Sequence, residues 1–157
     1  MKVKGFAISK PLRGAFYGSF GILLISGVVW LYSYFFLSER TDYGTIPSSY
    51  EAWSMQVHGA AVPVFLIIFG WLFPTHITRA YRARKNAVSG LVLLASMLWL
   101  ILTGYLLYYC GHEGTRRLSS VTHSVIGVSV VIILALHIIL GRRVYRSDRE
   151  DISEEAI

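Results

Sequence analysis

The chain predicts an all-α membrane protein, a four-helix transmembrane bundle with both termini cytoplasmic. Three observations predict it. First, 54% of the 157 residues are hydrophobic and mean hydropathy is +0.53, a composition suited to lipid rather than water. Second, four apolar runs, Ala15 to Leu37, Trp53 to Phe73, Val88 to Tyr109 and Val121 to Leu140, each reach the roughly 20 residues a helix needs to cross a bilayer core. Third, the basic residues segregate. Lys2, Lys4, Lys10 and Arg13 precede the first run, Arg79, Arg82, Arg84 and Lys85 separate the second from the third, and Arg142, Arg143, Arg146 and Arg149 follow the fourth. Only Arg40, Arg116 and Arg117 fall on the other side. Positive charge is retained on the cytoplasmic side of membrane helices, so this distribution sets the expected orientation. The net charge of +6 is then a topology signal, not a sign of nucleic-acid binding.

The first run starts like a signal peptide, but its apolar stretch exceeds the about 7–15 residues of a signal core, and no A-x-A-like site follows. A retained anchor is expected. The outer connection from Ser38 to Ala52 is the longest and has room for a short surface element. The connection from Thr78 to Ala87 is short and basic, and that from Cys110 to Arg117 is tight and polar, with Ser119 and Ser120 as expected N-caps of the fourth helix. Residues 1–143 read as one integral membrane domain. Residues 144–157 read as a short charged cytoplasmic tail, which such a composition leaves disordered. Aromatic residues gather near the span ends, among them Tyr34, Trp53, Trp71, Tyr105 and Tyr109, as an interfacial belt does. Cys110 is the single cysteine, which excludes an intramolecular disulfide, a cysteine zinc cluster and thioether-linked haem.

Four of the five histidines lie in or at the edge of the apolar runs, as two pairs. His58 and His76 are 18 residues apart on the second, and His123 and His137 are 14 apart on the fourth. At 3.6 residues per turn these are about 5 and about 3.9 turns, so each pair shares a helix face. Ionisable groups in lipid are costly and mark functional sites. Both helices run inward in the expected topology, which matches His58 with His123 near the outer surface and His76 with His137 near the inner one. Two imidazoles at each of two levels are what two bis-histidine haems stacked across a bilayer need. The alternatives are a zinc or other metal site, which would lack the usual carboxylate or thiolate company, and a histidine proton relay. The axial rises, about 27 Å and about 21 Å, differ by about one turn. Tilt, or a kink at Pro63 or Pro74, is expected to absorb the difference. His112, beside Glu113, reads as a solvated loop residue.

Glycines accompany the histidines. The fourth helix repeats His-x-x-x-Gly at His123/Gly127 and His137/Gly141, and the third carries Gly90 and Gly104, again 14 residues apart. Gly127, Gly104 and Gly90 are candidates for clearing room for a flat macrocycle; ordinary small-residue helix packing is the alternative. Arg116 and Arg117 stand where positive charge is scarce, as candidates for pairing with haem propionates or for docking an acidic partner.

Trp53-x4-His58, the Pro74-Thr75-His76 helix end, the stretch Thr103-Gly-Tyr-Leu-Leu-Tyr-Tyr109 and the two His-x3-Gly units resemble bacterial di-haem membrane cytochromes b. That group includes the cytochrome b561 type and the b subunits of respiratory hydrogenases and formate dehydrogenases. The resemblance covers roughly Trp53 to Arg143. It implies two non-covalent b-type haems with His58, His76, His123 and His137 as iron ligands, a multi-pass location in the bacterial inner membrane, and electron transfer rather than stand-alone catalysis. It further implies membrane quinone as one partner and, on the outer face, a multihaem cytochrome c or iron–sulfur subunit as the other. Many relatives draw a ligand from the first span, whereas this first span has no histidine. That departure favours a bundle whose second and fourth helices hold both haems. Two other classes remain open at this point: a histidine-based proton or metal-ion transporter, and a passive membrane anchor subunit of a larger complex.

Overall fold

The computed structural model describes residues 8–84 and 86–154; Lys2, Lys4 and Lys85, used above for charge, lie outside them. In chain order the elements are helix α1 (Lys10–Tyr32), a π-helical turn (Ser33–Leu37), strands β1 (Glu39–Thr41) and β2 (Gly44–Ile46), helix α2 (Ser49–Leu72), a second π-helical turn (Phe73–Ile77), and helices α3 (Thr78–Arg82), α4 (Ala87–Tyr109) and α5 (Glu113–Glu154). Four helical stretches, Lys10–Leu37, Ser49–Arg82, Ala87–Tyr109 and Glu113–Val144, are long and apolar enough to cross a membrane, and each contains one of the runs read from the sequence. The chain divides into two units, residues 1–76 and 77–157.

In the first unit α1 and α2 form an antiparallel pair. Phe16 meets Phe65 with ring centroids 5.7 Å apart, the Ser26 hydroxyl meets His58, and Ser38 at the end of the first π turn donates to the Glu51 carboxylate. The connection between the first two spans holds the short element its length allows. β1 and β2 pair antiparallel from Glu39↔Ile46 to Thr41↔Gly44, and Gly44 takes φ +125°, a conformation open to glycine because it has no Cβ. α2 follows its N-cap Ser48, whose N–H donates to the Glu51 carboxylate at 3.1 Å. This is one half of the capping box written in Ser48-x-x-Glu51, and through Glu51 it ties both helices to one carboxylate.

Apart from Phe16, what α1 buries is small and polar: Ser19 and Ser26, followed seven residues on by Ser33 in the π turn, with Ser54 of α2 fully buried. Large side chains such as Ile25, Phe35, Ile67 and Trp71 face outward. Lipid solvates Leu and Ile as well as a protein core does, so helices built for it associate through small residues that permit close approach. The hydroxyls are satisfied within their own helix, as when Ser19 donates to the Ala15 carbonyl at 2.9 Å.

In the second unit α4 and α5 run antiparallel in a fixed register. A Cβ added at Gly90 would lie 3.4 Å from His137, and one at Gly104 would lie 3.5 Å from His123. One at Gly127 would lie 3.8 Å from Leu100, and one at Gly141 would lie 3.3 Å from the Asn86 amide. Each step along α4 is matched by an equal step backwards along α5. Met97 and Val130, the most buried apolar side chains of this unit, occupy corresponding positions of the same register.

Three expectations change. Ser119 and Ser120 do not cap the fourth helix: α5 begins at Glu113, and Ser119 is buried within it. The tail is not disordered over its described length. α5 runs on to Glu154, with no glycine or proline after Gly141 to break it. The connection between the second and third spans shortens, because Thr78–Arg82 is helical. At the prolines, Pro63 sits inside α2, while Pro74 lies in the π turn. Widening the helix there relieves a ring that would collide with the carbonyl four residues back. A π turn holds more residues than an α turn and climbs less per residue. The rise from His58 to His76 is therefore shorter than an ideal α-helix gives, which moves toward the His123–His137 separation.

Candidate cofactor-ligand site

Three histidines are held in one way. His58 on α2 meets the Ser26 hydroxyl of α1 through Nδ1, at 3.0 Å. His123 on α5 meets the Thr103 hydroxyl of α4 through Nδ1, at 2.9 Å. His137, also on α5, meets the Ser89 hydroxyl of α4 through Nδ1, at 2.9 Å. In each case the residue after the hydroxyl is a glycine lying against the imidazole edge. A Cβ at Gly27, Gly104 or Gly90 would come within 3.6, 3.5 or 3.4 Å of the ring Cε1. The chain contains three Ser-Gly or Thr-Gly dipeptides, 26–27, 89–90 and 103–104, and all three cradle a histidine.

The direction of these hydrogen bonds follows from proton counting. A hydroxyl has one proton to donate and lone pairs to accept with. Ser26 stands 2.7 Å from the Ile22 carbonyl, and Thr103 stands 2.7 Å from the Trp99 carbonyl. Carbonyl oxygens only accept, so each hydroxyl spends its proton there and accepts the Nδ1–H of the imidazole. Ser89 spends its proton on the Asn86 side-chain oxygen. The Asn86 amide is oriented by donating to the His137 carbonyl at 3.0 Å, which leaves its oxygen turned toward Ser89. On this count the rings of His58 and His123 present Nδ1–H to the hydroxyl, while at His137 the Asn86 amide nitrogen also stands 3.4 Å from Nδ1. That tautomer is assigned from the network, and it is the form that ligates a metal through Nε2 with the other nitrogen oriented by a hydrogen bond.

His112 shows the opposite arrangement. The Thr115 backbone N–H donates to its Nδ1 at 3.2 Å, which places the proton of the neutral ring on Nε2. The residue is exposed and serves as the N-cap of α5, where an acceptor satisfies one of the four N–H groups a helix start leaves open. The expected loop histidine is a helix cap.

His76 lies half-buried in the π turn after Pro74. His58 and His76 belong to the first unit, His123 and His137 to the second. Gly90 and Gly104, expected to make space for a macrocycle, make space for the imidazoles themselves. Gly127 lies against Leu100, and Gly141 against Asn86. Arg116 and Arg117 are exposed and lie on the first turns of α5, not in a loop. Positive side chains at the positive end of a helix dipole make this end attractive to anions.

Four residues of the cradles, Ser26, Gly27, Ser89 and Thr103, together with Asn86, have no part in the reading from periodicity. The recurrence of Ser-Gly and Thr-Gly inside apolar runs is the signal that points to them. The donor set fits a bis-histidine haem in one respect: three imidazoles are each fixed in angle by a hydroxyl at Nδ1. No family model, curated protein or solved structure matches the chain.

The cradles make a steric prediction. Gly104→Val or Gly90→Val should push the facing imidazole off its hydroxyl and lower whatever ligand binding His123 or His137 supports. Gly127→Ala, whose new Cβ meets Leu100 at an ordinary 3.8 Å, should change neither binding nor thermal stability by more than about 0.5 kcal/mol. Equal effects from all three, read by thermal unfolding and ligand titration, would refute the cradle.

Proposed function

We propose that the chain is a di-haem b-type membrane cytochrome, carrying electrons between membrane quinone and a redox protein on the outer face. The observation that carries this reading is the repeated contact of Nδ1 of His58, His123 and His137 with a Ser or Thr hydroxyl of a neighbouring helix, beside a glycine. A core histidine that merely needs satisfying has no reason to repeat one hydroxyl and one glycine three times. His58 and His123 would be the axial ligands of an outer haem, and His76 and His137 those of an inner one; this pairing rests on their heights in the expected topology. A haem supplies one-electron chemistry, and two imidazoles on its iron leave no position for substrate. The residues of the chain hold the ring planes, exclude water and set the local charge. The short basic connection around Arg79, Arg82 and Arg84 supports a cytoplasmic placement for that end. The dipole-reinforced pair Arg116 and Arg117 supports an acidic partner, a multihaem cytochrome c or iron–sulfur subunit, at the other. The setting that agrees with this is the bacterial inner membrane.

Purified protein should show a reduced-minus-oxidised b-type spectrum with two haems per chain. His58→Ala and His123→Ala should each lose one haem, and the double variant should lose no more than either alone. A colourless protein would sink the reading and leave histidine-based ion transport as its replacement. Loss of both haems only in the double variant would break the pairing.

Orientation has its own test. Reporters fused after residue 45 or residue 114 should report an outer location, and a cytoplasmic signal from either would reverse the assignment of outer and inner haems.

Replacing Arg116 and Arg117 together by glutamate should slow electron exchange with an acidic soluble partner by about tenfold or more at low salt and flatten its ionic-strength dependence, with haem content unchanged. Loss of haem would move the pair to propionate binding, and an unchanged rate would place docking elsewhere.

A further inference from the structure

The end of the second unit where α3 gives way to α4 concentrates positive charge. Arg79, Arg82, Arg84 and Lys85 fall within seven positions, and no aspartate or glutamate occurs from Ala52 to His112. α5 passes the same end, since a Cβ at Gly141 would lie 3.3 Å from the Asn86 amide, and it adds exposed Arg142 and Arg143. The next carboxylate along α5 is Asp148, seven residues and about 10 Å beyond Gly141. An open cavity of about 490 Å³ lies at this end, lined by Tyr81, Arg82, Arg84 and Ala87. Its walls are fixed from two sides. Arg84 takes φ 51°, a left-handed conformation that asparagine and glycine tolerate better than arginine, and its N–H closes on the Tyr81 carbonyl at 3.1 Å. Asn86, at φ 53°, is tied to α5 by donating to the His137 carbonyl at 3.0 Å. Backbone held in such conformations by its surroundings is found at ligand clamps.

We propose that this cavity takes the headgroup of an anionic phospholipid, with the Arg82 and Arg84 guanidinium groups on its phosphate and Tyr81 as a further hydrogen-bond donor. The inference stands apart from the haem reading. A guanidinium group matches phosphate in geometry and holds it through paired N–H donors, and basic pockets at the ends of membrane helices are where such headgroups settle. Two features favour a lipid over free phosphate. The cavity lies at an apolar boundary, because one stretch able to cross a membrane ends at Arg82 and the next begins at Ala87. Beyond Ala87, one face of α4 continues with the exposed side chains of Leu91, Leu98 and Leu102, all within about 60° of Ala87 around the helix. Acyl chains can follow that strip while the phosphate stays with the arginines.

The experiment titrates the full-length protein, purified in a non-ionic detergent, with phosphatidylglycerol, phosphatidylcholine or inorganic phosphate. Bound lipid is counted by native mass spectrometry, and thermal unfolding in detergent alone checks each variant's fold. The expected result is one phosphatidylglycerol bound per chain at concentrations where phosphatidylcholine does not bind and inorganic phosphate does not compete. Arg82→Gln with Arg84→Gln should weaken that binding about 30-fold, from the roughly tenfold per 1.4 kcal/mol and the about 1 kcal/mol each basic side chain supplies at an anionic surface. If the double variant unfolds, Arg82→Gln alone, at an exposed helical position, carries the test with an expected loss of about fivefold. Lys10→Gln with Arg13→Gln removes the same charge from exposed positions of α1 and should weaken binding far less. Equal loss from the two double variants would reduce the site to diffuse attraction and overturn the proposal. Equal binding of the two lipids also overturns it. Inorganic phosphate that competes as well as the lipid at equal concentration would make this a free-phosphate site and overturn the lipid assignment.

Discussion

A hydroxyl on an apolar helix has few partners, and that shortage organises this protein. With no water along the helix flank, an unpaired polar group costs several kcal/mol, on the order of 2–7. The serine or threonine proton therefore goes to a carbonyl of its own helix where one is in reach, as at Ser26 and Thr103. Once that proton is committed the oxygen is purely an acceptor, and any imidazole beside it must present N–H. One local rule about helices in lipid thus fixes the protonation pattern of side chains on the next helix. At Ser89 the proton goes instead to Asn86.

The glycines act within that rule. An imidazole brought to hydrogen-bond distance of a hydroxyl on an adjacent helix places its Cε1 edge against the following residue. A side chain there would hold the helices apart and break the bond. Gly27, Gly90 and Gly104 remove it. The equal 14-residue intervals on α4 and α5 have the same origin. Two antiparallel helices in one register must repeat their facing features at equal spacing, so a cradle interval on one is copied as a histidine interval on the other.

Much of the architecture was legible in advance, because four apolar runs of spanning length leave few other folds. The short strand pair between the first two spans was legible from loop length alone. The start of α5 was misplaced at Ser119 and Ser120, because hydroxyl residues are favoured both at caps and, in apolar helices, at buried faces; burial decided for the second. Ser48-x-x-Glu51 was a readable start signal for α2 that the apolar pattern, beginning at Trp53, overshadowed. At the site, periodicity put His123 and His137 on one face but carried no information about tautomer, which depends on the neighbouring helix. The dipeptides at 26–27, 89–90 and 103–104 carry it, though only once the facing register is known. The first helix, with no histidine of its own, looked like a simple anchor and supplies the cradle of His58.

The shared register of α4 and α5 also limits how the chain can change length. Adding one residue between Gly90 and Gly104 would turn everything beyond it by about 100°. One cradle would then face away from its histidine while the other stayed in place. A matching addition between His123 and His137 would equalise the axial spacing but turn that histidine and its cradle together by about 100° away from the helix contact. Point substitutions along the outward faces carry no such coupling. Over evolutionary time these two helices should therefore vary freely in composition on their outer sides while keeping both intervals at the same length.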